Sequence, residues 1–112
     1  MDNEAEQAAA PAPSGQAAKP LEFAKIDALR RHMLLTVQSM VIILGTTRVS
    51  YYNWLKGTKM RKKTAEHMRR VARLLVVCIQ NGWPNDAVYV ATQPQRLQML
   101  QERLKELDNQ LA

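Results

Sequence analysis

Leu44-Gly45-Thr46-Thr47 limits what this chain can fold into more than any other stretch. Glycine takes positive φ without strain, so Gly45 can end one helix within a single residue. Thr47, two positions on, is a residue type whose side chain caps the start of the next helix. Tyr51 and Trp54 follow seven and ten residues past Leu44, at helical spacing, and Gly57 closes that second helix. Two short helices are therefore joined by a tight turn, and the N-terminus of the second is left free. A chain of 112 residues has room for one small domain around such a unit, plus extensions.

Charge marks the same stretch. Between Ala28 and Asn85 there are eleven Lys or Arg and one acidic residue, Glu66. The formal net charge of +6 hides this, because residues 1–20 carry −2, residues 21–27 −1, residues 28–85 +10 and residues 86–112 −1. Charge so concentrated is an electrostatic footprint and predicts a nucleic-acid partner rather than a merely solvated surface. One cysteine, Cys78, allows no internal disulfide, and its apolar neighbours from Leu74 to Ile79 make it a small core hydrophobe. No basic-then-apolar leader opens the chain and no stretch has the apolar length of a membrane span. The expectation is a soluble cytoplasmic protein, associated with the nucleoid.

The chain divides by composition. Residues 1–20, an Ala/Pro/Gln/Glu tail, hold too little apolar surface to offset ordering entropy and read as disordered. Leu21, Ile26, Leu29 and Met33 predict a first helix from Pro20 to about Leu34, and Thr36 then caps a second that stops at Gly45. A third runs from Thr47 to about Lys56. After the basic loop 58–63, Thr64 is the natural cap of a fourth, whose stripe of Met68, Val71, Ala72, Leu75, Cys78 and Ile79 ends at Asn81-Gly82. The 21–82 stretch is thus one helical domain. Residues 83–93 form a connector in which Val88-Tyr89-Val90 suits a short strand or an extended packing segment, and Trp83 and Tyr89 suit a small core better than base stacking.

From 94 to 112 a last helix carries Leu97, Leu100, Leu104, Leu107 and Leu111, three and four apart, the seam of a coiled coil. In a parallel dimer its Arg103 and Asp108 would face each other; alternatively the leucines pack on the chain's own globular part. The fold class expected is all-α, a compact helical bundle with a coiled-coil-like C-terminal helix as its dimerisation element.

The unbroken register from Thr36 to Gly57 resembles the helix-turn-helix of phage repressors and Cro proteins, over roughly residues 21–81. That resemblance implies a sequence-specific, usually dimeric regulator of transcription on double-stranded DNA, phage- or mobile-element-like, which binds an inverted repeat. It makes Met40, Val41, Leu44, Tyr51 and Trp54 core positions, and Arg48, Val49 and Asn53 base-reading positions. Arg48 can donate twice to guanine, Asn53 can pair with adenine, and Val49 can rest on a thymine methyl, each good bidentate pair being worth about 1–3 kcal/mol of discrimination. Thr47, Tyr52, Lys56, Lys59, Arg61, Lys62 and Lys63 would hold phosphates, giving affinity and salt sensitivity but no sequence information. Ser50 suits either the groove or the turn. Arg69, Arg70 and Arg73 either extend the basic surface or solvate their helix.

Two departures from the family pattern stand out: Val41 where alanine is usual, and Ile42-Ile43 where polar residues are usual. Ile42 and Ile43 are either covered by other parts of the chain or open to a protein partner. The second alternative supports a competing reading, an interaction module of antitoxin or anti-activator type; a third is a sequence-indifferent nucleic-acid binder. His32 and His67 lack the spacing of metal ligands, and no nucleophile-base set or phosphate loop is present, so neither a metal, a cofactor nor an enzyme activity is expected. His67 is expected on the exposed side of its helix.

Overall fold

Side chains three and four apart account for the long helices of the chain, which a computed structural model describes over residues 22–111. Among those residues there are six helices and no strand: α1 (Phe23–His32), α2 (Val37–Leu44), α3 (Arg48–Leu55), α4 (Lys62–Gln80), α5 (Asp86–Val90) and α6 (Gln93–Leu111). The all-α bundle is as expected; the 1–20 tail and Leu21 lie outside the described residues. Helix α3 packs on α1 and α2, α1 also on α4, while α6 lies against α2 and α4. Their shared core includes Ile26, Met40, Leu44, Tyr51, Leu75 and Cys78.

Helix α1 stops at His32, two residues short of expectation, because Leu34 takes a left-handed φ of 65°. For a leucine that conformation costs on the order of 1–2 kcal/mol, and two residues far along the chain stabilise it. Gln93 Nε2 and Arg96 Nη1 both donate to the Leu34 carbonyl, at 2.8 and 3.1 Å. Gln93 also accepts from the Thr36 amide at 3.2 Å, so the start of α6 is tied to the turn that leads into α2.

Helix α4 starts at Lys62 behind the N-cap Arg61, one turn's fraction earlier than the expected Thr64 cap, since Ala65 N–H already donates to the Arg61 carbonyl at 2.9 Å. The segment 86–90 is helical rather than extended. Asn85 caps it by accepting from Val88 N–H at 3.0 Å, Val88 anchors it in the core, and Arg96 takes the Val88 and Tyr89 carbonyls at its far end. Local capping here outweighs the β preference of Val88-Tyr89-Val90. Trp83 is buried and its indole N–H donates to the Met33 carbonyl at 3.0 Å, but Tyr89, expected to pack, is 60% exposed.

The leucine seam of α6 is spent inside the molecule. Leu100 and Leu107 are buried at 0% and 6% exposure, and Leu104 packs half-buried on the same core. Leu97 is half-buried as well, and the side chain of Leu111 lies outside the described residues. Asp108 pairs with Arg70 of α4, and Arg103 with Glu106 of its own helix at 3.9 Å, so neither is left to face a second copy. A period of three and four buries a helix equally well against its own chain or a partner, and here the apolar faces of α2 and α4 cover it first. The start of α6 is set by a reciprocal cap, in which Thr92 N–H donates to Gln95 Oε1 at 2.9 Å and Gln95 N–H to Thr92 Oγ1 at 3.3 Å.

Candidate nucleic-acid interface

The turn that joins α2 to α3 is closed by backbone bonds from Gly45 to the Ile42 carbonyl (3.2 Å) and from Thr46 to the Val41 carbonyl (3.0 Å), with Gly45 at φ 71°. Thr47 Oγ1 then accepts from Ser50 N–H at 3.1 Å and opens α3. The last carbonyl of α2, on Leu44, receives His67 Nε2–H at 3.1 Å. His67 is exposed as expected, yet it braces α2 against α4. Val41, the unusual valine, is buried in the core.

Helix α3 is divided lengthwise. Tyr51 is fully buried and Trp54 and Leu55 are half-buried against the core, whereas Arg48, Val49, Tyr52, Asn53 and Lys56 face outward. Val49, the apolar residue expected to read a base, is 71% exposed. Nothing in the folding of this chain requires an apolar side chain there.

The inward face holds α3 stiffly. Phe23 meets Tyr51 edge-on at 4.8 Å between ring centroids and Trp54 at 5.3 Å. Tyr51 hydroxyl donates to the carboxylate of Asp27, which Arg30 also binds through Nε at 2.8 Å while its Nη1 donates to the Leu35 carbonyl at 2.9 Å. Burial works against the Asp27 charge. The bonds from Arg30 and Tyr51 and the charges of Arg30 and Arg31 outweigh it and hold the carboxyl below its ordinary range. Burial first, then the bond to Asp27, pushes the Tyr51 hydroxyl well above the usual phenol value, so it stays a donor. Sequence reasoning placed Tyr51 in the core but missed Asp27; its one signal is an acid beside Ile26 on the apolar side of α1.

Beyond α3, Gly57 at φ 107° turns the chain, Thr58 N–H returns to the Asn53 carbonyl at 3.0 Å, and Met60 tucks half-buried against the core. This folding leaves Lys56, Lys59, Arg61, Lys62 and Lys63 exposed. The cations of the chain then sort by what they touch. Arg30 binds Asp27, Arg70 binds Asp108, and Arg96 binds three backbone carbonyls. Arg48, Lys56, Lys59, Arg61, Lys62 and Lys63 have no acidic partner among the described residues. Of the three arginines on α4, Arg70 thus serves the fold. Ile42 is 46% exposed while Ile43 packs half-buried on the core, so the pair forms no continuous apolar surface.

Charge at the start of α4 works against folding. Its first turn contains Lys62 and Lys63 and no acid, at the positive end of the helix dipole. The amides that precede the first backbone bond of the helix, made by Ala65, add donors for an anion. Among the described residues no group of three or more His, Cys, Asp or Glu is placed to hold a metal ion, and no helix is long and apolar enough to cross a membrane. No family model, no curated protein and no solved structure matches this chain.

Proposed function

We propose that the chain is a sequence-specific double-stranded DNA-binding regulator of transcription, of phage or mobile-element character, which reads an inverted repeat as a dimer. The observation that carries this reading is the outer face of α3. Arg48, Val49, Tyr52 and Asn53 are all exposed there, on a helix whose other side is locked to Phe23 and Asp27. In this role the side chains enter the major groove, where an arginine suits guanine, an asparagine adenine and a valine the thymine methyl. Thr47 and the cations of the α3–α4 turn hold the flanking phosphates and fix register. Unpaired cations and an acid-free helix start are unfavourable for the isolated fold and favourable once phosphate is present.

Selection of bound duplexes from a random pool at about 200 mM salt tests the proposal, because phosphate contacts alone weaken steeply there. The expected result is an enriched inverted repeat, with Arg48→Ala relaxing discrimination at one base position in each half-site. Absence of enrichment, with binding that simply vanishes as salt rises, would leave a sequence-indifferent basic protein and overturn the reading.

A further inference from the structure

With the leucine seam of α6 buried, a dimer needs another surface, and the outer face of α5 and the start of α6 has the required chemistry. Val90 is 86% exposed and Tyr89 60%, the highest exposures of large apolar side chains among the described residues apart from Val49 on α3. Beside them lies a shallow depression of about 410 Å³, walled by Ala87, Val90, Ala91 and Met99 and rimmed by Gln95, Gln98 and Glu102. A projecting valine next to a hollow floored by alanines and a methionine is self-complementary in shape. It is also self-complementary in hydrogen bonding, since a glutamine amide both donates and accepts and can pair with its own copy.

Charge singles out the same face. It bears no lysine, and its one nearby arginine, Arg96, is committed to the carbonyls of Leu34, Val88 and Tyr89. The segment of residues 28–85 carries a net +10, so two copies meeting through its surfaces would repel. Helix α6 packs on α2 and α4, whereas α3 packs on α1 and α2, so this face leaves α3 uncovered.

We infer that a second copy of this chain docks on the Ala87–Val90–Ala91–Met99 face across a two-fold axis. Each Val90 enters the hollow of the other copy, and Gln95 and Gln98 pair around it. The inference rests on the proposed reading of an inverted repeat, for which an isologous dimer is the matching symmetry.

Sedimentation of the full chain without DNA, between about 1 and 200 μM, tests it independently of any operator. A dimer is expected at micromolar concentration, and Val90→Glu is expected to raise its dissociation constant at least about 30-fold with unchanged thermal unfolding of the monomer. Val90→Cys supplies a second readout that does not depend on a lost interaction. Cys78 is fully buried, so mild oxidation is expected to link two copies through position 90, whereas Val76→Cys, on α4, stays unlinked. A wild-type chain that stays monomeric at 200 μM, or a dimer indifferent to Val90→Glu and uncoupled by Val90→Cys, overturns the inference. Sequence-specific DNA binding by such a monomer would overturn it alone and spare the α3 assignment.

Discussion

Lys62 and Lys63 occupy the first turn of α4 behind the N-cap Arg61, where a helix favours negative charge. An exposed cation at such a position costs about 0.3–1 kcal/mol at low ionic strength, and an acid in its place contributes a similar amount with the opposite sign. Both lysines are exposed, so the low end of that range applies after solvent screening. Lys62→Glu together with Lys63→Glu is therefore expected to stabilise the fold by about 1–2 kcal/mol. In a domain of this size that raises Tm by roughly 5–10 °C in low salt. The gain should shrink as salt is added, because the Debye length falls to about 8 Å at physiological ionic strength. DNA affinity is expected to move the other way. Two lost phosphate contacts lower the slope of log K against log salt by about 1.8 and weaken binding by on the order of 100-fold. Calorimetric unfolding at two salt concentrations, paired with fluorescence-anisotropy titration of the selected duplex, measures both effects on one variant. A lower Tm in dilute buffer would refute the conflict between charge and fold at this helix start. A stabilised variant that keeps its affinity and salt slope would remove the α3–α4 turn from the DNA backbone.

The remaining predictions concern the frame that carries α3. Asp27→Asn should cost about 2 kcal/mol at neutral pH, since it weakens hydrogen bonds made to a charged group. Because the folded Asp27 carboxyl sits below its ordinary range, its contribution is complete above about pH 4 and fades as pH drops through the folded value; urea titrations at pH 7 and pH 3 should show the gap between wild type and variant narrowing in acid. Gly45→Ala meets no atom within 4 Å, so only the left-handed backbone penalises it, by about 1 kcal/mol in denaturant unfolding; a loss several times larger would place an unseen close contact at the turn. Leu100→Ala should cost about 2–5 kcal/mol in a manner independent of protein concentration, as befits a leucine buried within one chain; dependence on concentration would return α6 to a dimer seam.

What could be read from the sequence was local. Gly45, Thr47, Thr36 and Gly82 each act within a few residues of themselves, and the helices begin or end where their chemistry places them. The pairing of Tyr51 with Asp27 across 24 positions, and of Gln93 and Arg96 with Leu34 across 59 and 62, has no periodicity to betray it. Leu100 and Leu107 mislead for a related reason: heptad spacing fixes which side of a helix is apolar and is silent on whose surface covers it. At α5, three residues with strand preference were outvoted by one asparagine cap and one arginine from the next helix. On α3 the outward residues follow from helical geometry alone once Tyr51 is assigned inward. The engaged and unengaged cations separate only after folding brings Asp108 to Arg70.

Gln93 and Arg96 have a consequence for the newly made chain. They secure the carbonyl of Leu34, at the entrance to α2, yet a ribosome reaches them only after α1 through α5 have been synthesised. Domains fold largely as units, so α3 is expected to gain firm footing only once α6 has been made. A growing polypeptide, or a fragment cut before residue 93, would carry every outward side chain of α3 and still lack the bonds that fix the entrance to α2. A helix made after α1 to α5 thus completes the support of the earlier ones.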